Sequence, residues 1–223
     1  MKRKIKALAA GVAFATLQIP VTGVTIASAA DLEERMASAP SPWQVRVRGL
    51  GIITEDNGYV DGIPGSDLSY SDTIVPELDI SYYFTDNLAA ELVLGTTYAN
   101  ISGEGTVAGL GTVGKVWLLP PTLTLQYHLT NLGAFKPYVG AGINYTIFYN
   151  QDGKGSFSDI DVEDTFGFAL QAGFDYMIDE HWGINFDVKK LFLEPEWTAN
   201  NGTLSGKAEL NPWLIGTGIT YRF

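Results

Sequence analysis

Apolar and polar residues alternate with a period of two along most of the chain beyond residue 42. The pattern is clearest from Leu118 to Tyr149. Leu119, Pro121, Leu123, Leu125, Tyr127 and Leu129 share one parity, and Thr122, Thr124, Gln126 and His128 share the other. After a short turn, Val139, Ala141, Ile143, Tyr145 and Ile147 oppose Gly140, Gly142, Asn144 and Thr146. Period two puts successive side chains on opposite faces of a strand. Runs of about 11 residues suit a tilted strand crossing a bilayer. The stretch therefore predicts a membrane β-hairpin.

The same alternation recurs in eight runs, at 43–54, 73–84, 88–98, 115–129, 137–149, 165–177, 182–193 and 209–223. Long connections cover 55–72, 99–114, 150–164 and 194–208, and short ones are Thr85-Asp86-Asn87, Thr130 to Lys136 and Ile178 to His181. Long loops at one end and tight turns at the other predict an all-β fold. It is an eight-stranded antiparallel up-and-down transmembrane β-barrel over residues 43–223, with long extracellular loops and short periplasmic turns. A β-sandwich would show shorter, less systematic spacing.

A soluble lipocalin-like barrel has the same period with its apolar face inside. Three features favour the membrane. Residues 1–30 read as a secretory signal peptide: a basic MKRKIK start, an apolar Ala7–Leu17 segment, and small residues at Ala27-Ser28-Ala29-Ala30. Aromatic residues sit near strand ends on the apolar face, namely Tyr82, Phe84, Tyr98, Tyr127, Tyr149, Tyr176, Trp182, Trp213 and Tyr221, where interfacial girdles belong. The chain closes on Ile219-Thr220-Tyr221-Arg222-Phe223. This end resembles the signal by which barrel-assembly machinery recognises outer-membrane barrels, with Tyr221 and Phe223 as its aromatic members. Residues 31–42, polar and Pro-terminated, form a periplasmic lead-in.

Composition narrows the function. Only 17% of residues are charged, against about 25% in soluble proteins. No run beyond residue 30 reaches the length of a transmembrane helix. The absence of cysteine excludes disulfides, thiolate metal sites and a cysteine nucleophile. The net charge of −11 disfavours nucleic acid as a partner, because phosphate binding needs a basic footprint. His128 and His181 are the only histidines. Neither sits where a barrel enzyme would need a base beside a nucleophile, so no catalytic residue and no cofactor are assigned. The acidic loop residues Glu55, Asp56, Asp61, Asp67 and Asp72, and Asp152, Asp159, Asp161, Glu163 and Asp164, read as solvated surface. Their functional reading is divalent-cation bridging to lipopolysaccharide. Asp159-x-Asp161-x-Glu163 lacks the glycine and terminal glutamate of an EF-hand loop, and no metal site is assigned. Gly153-Lys154-Gly155-Ser156 lacks the setting of a phosphate loop.

Several motifs are more specific. Leu119-Pro120-Pro121-Thr122, Pro137-Tyr138-Val139-Gly140-Ala141-Gly142-Ile143-Asn144-Tyr145-Thr146, Asn211-Pro212-Trp213 and Tyr221-Arg222-Phe223 resemble the OmpW family, AlkL-type alkane-uptake proteins included. Thr85-Asp86-Asn87 and Gln171-Ala172-Gly173-Phe174-Asp175-Tyr176 match in kind and order. The resemblance implies an outer-membrane barrel of a Gram-negative bacterium with a narrow hydrophobic lumen. It further implies uptake of small hydrophobic molecules and, in some members, a bacteriocin or phage receptor role. The Pro-Pro pair marks a break in a strand ladder and a candidate lateral opening in the wall.

Parity assigns the lumen. With both termini periplasmic, its lower half receives Arg46, Arg48, Glu77, Asp79, Glu91, Gln126, His128, Asp175, Asn185, Asp187, Lys189 and Arg222. Arg46, Arg48, Glu77, Asp79, Glu91, Asp175, Asp187 and Lys189 form a predicted polar plug, in which Arg46 and Arg48 reach Glu77 and Asp79 on the neighbouring strand. The upper half receives Leu50, Ile52, Val75, Val93, Leu118, Pro120, Phe148, Leu191, Leu193, Leu210, Pro212 and Leu214. This is a predicted apolar path for a hydrophobic solute, open outward and leaving sideways near Pro120-Pro121. The alternative is a structural or receptor barrel of the OmpA type, whose ion-pair core would fill the whole height.

Overall fold

The structure, a computed structural model, describes residues 41–55, 57–155, 157 and 159–223. The expected signal peptide, residues 31–40 of the lead-in, and Asp56 and Ser156 of the loops lie outside the described residues. The described strands are, in chain order, β1 (Trp43–Ile53), β2 (Asn57–Val60), β3 (Ser66–Tyr70), β4 (Thr73–Tyr83), β5 (Leu88–Gly95), β6 (Thr97–Gly105), β7 (Thr112–Leu119) and β8 (Thr122–His128). They continue with β9 (Phe135–Gly153), β10 (Ile160–Val162), β11 (Thr165–Met177), β12 (Trp182–Phe192), β13 (Glu196–Ala199), β14 (Leu204–Glu209) and β15 (Trp213–Arg222).

Eight of these close a ring. β1, β4, β5, β8, β9, β11, β12 and β15 each pair antiparallel with the next, and β15 returns to β1. Closure leaves no sheet edge in the bilayer, where an unpaired backbone amide would cost several kcal/mol. The alternation decides which face is which. Val47, Leu125, Val139, Ile143 and Phe168 point outward and are exposed, whereas Arg46, Gln126, Asn144 and Gln171 point inward and are buried. An apolar outer face over a polar lower lumen is the membrane arrangement and the inverse of a lipocalin. At the end carrying the short turns and the carboxyl terminus, aromatic rings meet edge to face: Trp43 with Tyr82 at 4.9 Å, Trp182 with Tyr221 at 4.7 Å, and Tyr221 with Phe223 at 4.9 Å.

The long connections differ from the loops expected. They hold β2, β3, β10, β13 and β14 and most of β6. β10, β13, β14 and β2 form a four-stranded sheet of their own, while β3, β6 and β7 extend the barrel wall along the upper end of β9. β2, β3, β10, β13 and β14 are three to six residues long, too short for alternation to reveal them. The run expected at 88–98 breaks at Thr96, and the run at 115–129 breaks at Pro120-Pro121, whose rings carry no N–H to donate. The last barrel strand starts at Trp213, not at residue 209. Asn211 adopts φ 28° and Pro212 follows it, which interrupts regular extension.

Candidate functional site

The lower lumen is filled by a buried ionic network. Arg46 pairs with Asp175 at 2.6 Å and also with Glu91. Arg48 meets Glu77 at 2.9 Å, Asp187 at 3.5 Å and Glu91 at 3.7 Å. It also lies 2.6 Å from Asp79, a contact made by charge without hydrogen-bond alignment. Lys189 bridges Glu77 and Asp187, each at 3.0 Å. Of the two arginines predicted to reach Glu77 and Asp79, only Arg48 does so. Arg46 stands beside Asp79 in register but reaches across the lumen to β5 and β11. In an eight-stranded barrel the lumen is one side chain wide, so a long guanidinium finds the far wall as easily as the next strand.

Three cations facing five carboxylates leave oxygen atoms that need neutral donors. Gln171 Nε2 donates to Glu91 at 2.9 Å and to Asp187 at 2.8 Å. Tyr138 donates to Asp187 at 2.8 Å, Thr220 to Asp175 at 2.7 Å, and Gln44 to Asp175 at 3.2 Å. Such donors keep a buried network satisfied. Glycines make room for them: a Cβ on Gly173 would stand 2.6 Å from the Tyr138 hydroxyl. Below the network, His128 is wedged between the rings of Tyr83 and Tyr138, at 5.0 and 4.8 Å between centroids, and its Nε2 meets Gln126 Oε1 at 3.0 Å. Arg222 caps the mouth, its guanidinium 3.8 Å above the Tyr83 ring.

Above the network the lumen is apolar. A chamber there is lined by Leu50, Ile52, Val75, Val93, Leu118, Pro120, Leu191, Leu193, Leu210, Pro212 and Leu214 and by the hydroxyl residues Thr54, Ser71, Thr73, Thr96 and Thr97, with Glu77 and Thr122 reaching it from the plug side. A second chamber lies between the upper sheets. Leu68, Val113, Phe148, Ile160, Val162 and Trp197 are among its lining side chains. Ala99, Leu118 and Leu210 line both. Each apolar residue assigned by parity thus faces one chamber or the other, with Phe148 in the upper one.

The wall of the lower chamber is not continuous in its hydrogen bonding. β5 pairs with β8 as far as Val93 and Thr122, and the β6–β7 ladder resumes at Thr97 and Leu118. Leu94–Thr96 and Leu119–Pro121 face each other between them without ladder pairs. On the other side of Pro120-Pro121 the gap is spanned. Tyr145 N donates to Pro121 O at 3.1 Å, and Asn144 Nδ2 donates to Pro120 O and Pro121 O at 3.1 and 3.2 Å.

Parity thus located the charged residues and the apolar lining. It passed over Gln44, Ser81, Tyr83, Tyr138, Thr124, Gln171 and Thr220, which share the parity of the plug residues and are buried. Their inward parity was the available signal. Among the described residues, no group of three or more His, Asp or Glu side chains is arranged to hold a metal ion.

Comparison with known proteins agrees with this architecture. The family model described as OmpW family matches residues 46–223. An uncharacterized outer-membrane protein, y4mB, from Sinorhizobium fredii is 62% identical over 96% of this chain and 94% of its own length. Outer membrane protein AlkL of Ectopseudomonas oleovorans is 30% identical over 72% of this chain and 71% of its own. The dibenzothiophene metabolism operon protein PahQ of Pseudomonas aeruginosa is 29% identical over 82% and 89%. Among solved structures, the outer membrane protein OprG of Pseudomonas aeruginosa superposes with a TM-score of 0.75 at 25% identity, over 82% of this chain and 97% of that one. A closed eight-stranded barrel with an apolar outer face, a match to the family model along nearly its whole length and outer-membrane relatives together identify this chain as a Gram-negative outer-membrane protein that belongs to the OmpW family.

Proposed function

We propose that the barrel gives passage to small hydrophobic molecules. The solute enters the apolar chambers from the outer face and leaves sideways through the wall near Pro120-Pro121. The observation that carries this reading is the boundary inside the lumen. Leucine-lined space gives way to the fully buried network of Arg48, Lys189, Glu77 and Asp79. An apolar molecule gains nothing by entering a layer of desolvated charges, so a sideways exit is the favoured one. The unpaired stretch between Leu94–Thr96 and Leu119–Pro121 offers it. PahQ, whose name ties it to dibenzothiophene metabolism, is a relative that supports a hydrophobic solute. An anchor or receptor barrel without a pathway would carry ion pairs through its whole height, and the leucine-lined upper lumen speaks against it.

Passage of this kind needs no catalytic group. In the same reading, Tyr221 and Phe223 serve recognition by the barrel-assembly machinery, and the barrel's outer surface meets outer-membrane lipid and lipopolysaccharide. The test is uptake of a hydrophobic reporter by cells carrying Leu118→Asp or Leu214→Asp. A charge in either chamber wall lowers uptake severalfold, and unchanged uptake at normal surface abundance would sink the proposal.

A further inference from the structure

A second interruption of the wall lies across the lower chamber's other flank, and it leaves a polar point inside an apolar space. The β4–β5 ladder ends at Glu77 and Gly95, and the β3–β6 ladder starts at Tyr70 and Ile101. Pro76 cannot donate a backbone hydrogen bond. Between these ladders Ser71 N donates to Asn100 O at 3.1 Å, and further down the Thr73 and Thr97 hydroxyls bond to each other at 2.9 Å. Both residues line the lower chamber, and Thr97 is buried.

Two hydroxyls carry two protons, and their mutual bond uses one. The remaining O–H and the free lone pairs take no other hydrogen bond among the described residues. The neighbouring hydroxyls are committed differently. Thr54 donates to Tyr70 O at 3.2 Å, Thr96 to Leu118 O at 3.2 Å and Thr122 to Pro120 O at 3.0 Å, while the Ser71 hydroxyl oxygen accepts from Asn100 N at 3.0 Å. Glu77, the carboxylate at this chamber, is held by Arg48 and Lys189. The Thr73–Thr97 pair is therefore an unspent donor and acceptor set in a leucine-rich wall. Thr97 is buried and Thr73 partly so, and a polar atom of a bound molecule can take up the free O–H or a free lone pair of the pair.

We propose that the lower chamber is a binding site for hydrophobic molecules bearing one hydrogen-bonding oxygen, such as an alcohol, phenol, aldehyde or ketone. The hydrocarbon body lies against Leu50, Val75, Leu191 and Leu214, and the oxygen bonds to the Thr73–Thr97 pair. This rests on the passage reading above and adds the class of solute to it.

The experiment compares naphthalene with naphthol, a pair differing by one oxygen. Binding to the full barrel in lipid nanodiscs is measured against empty nanodiscs, for wild type, Thr73→Val/Thr97→Val and Thr73→Ser/Thr97→Ser. Folding is checked by heat-modifiable electrophoretic mobility. The double valine variant is expected to lower the naphthol-to-naphthalene affinity ratio by roughly three- to tenfold, the effect of one hydrogen bond. The double serine variant, which keeps both hydroxyls, holds the ratio. If the double valine variant does not fold, Thr73→Val alone carries the same comparison. An unchanged ratio in the valine variant, or equal loss of both compounds, overturns this inference and leaves the passage reading standing. Failure of both compounds to bind wild type overturns the two together.

Discussion

Arg46 and Asp175 stand 129 positions apart in the chain and meet inside the barrel as a two-point ion pair, Nε to Oδ1 at 3.0 Å and Nη2 to Oδ2 at 2.6 Å. Neither side chain is more than 2% exposed. The pair ties β1 to β11 across the lumen, where no backbone ladder joins them. Removing one partner of such a pair leaves a charge buried without compensation. Asp175→Ala is expected to destabilise the barrel by about 3–5 kcal/mol. Urea unfolding in lipid vesicles measures it, and a midpoint equal to wild type would show that the pair holds nothing together.

The plug is closed by neutral side chains as much as by charges. Tyr138 and Gln171 are buried among the carboxylates, and both can be truncated without removing a charge. Tyr138→Ala/Gln171→Ala is expected to raise the ion conductance of the barrel in planar bilayers severalfold, because water then wets the network. Conductance identical to wild type would place the seal elsewhere.

Gly173 packs under Tyr138. A Cβ there would lie 2.6 Å from the Tyr138 hydroxyl and 2.5 Å from the Phe186 carbonyl oxygen. The second contact is backbone and cannot swing aside. Gly173→Ala is expected to cost about 1–3 kcal/mol through overpacking. The same unfolding assay reads it, and a neutral substitution would mean that the strand pair β11–β12 yields locally.

The turn at residues 178–181 carries a pH dependence of its own. The Asp179 carboxylate accepts the Trp182 N–H at 2.7 Å and the His181 N–H at 2.8 Å, and these bonds hold its pKa below the ordinary value. A lowered carboxyl pKa stabilises the fold above the unfolded value of about 4 and loses that contribution as pH falls through the folded value. The Trp182 amide should be protected from hydrogen exchange near neutral pH and lose protection below about pH 4. Asp179→Ala should abolish the difference. Protection independent of pH in wild type would refute the capping role.

Much of the site was legible because strand periodicity is local. Arg46, Glu77, Asp175 and Asp187 each alternate with apolar outward-facing neighbours, so counting by two finds the lumen on any strand whose register is unbroken. Pro120-Pro121 was legible as a break, since proline removes a donor wherever it stands in a ladder. The upper sheet was not. β10 and β13 are three and four residues long, and such segments carry too few alternations to stand out from a loop.

By itself the sequence determined the barrel, its eight strands, the lipid-facing parity, and the division of the lumen into charge below and leucine above. These depend on residue type and spacing within one strand. Only the tertiary structure decided that Arg46 crosses to Glu91 and Asp175 while Arg48 takes Glu77 and Asp79. It alone decided that Gln171 and Tyr138 complete the network, and that Thr73 meets Thr97 where two ladders stop. Those partnerships depend on how far each strand is sheared past its neighbours, and on a lumen narrow enough for opposite walls to touch.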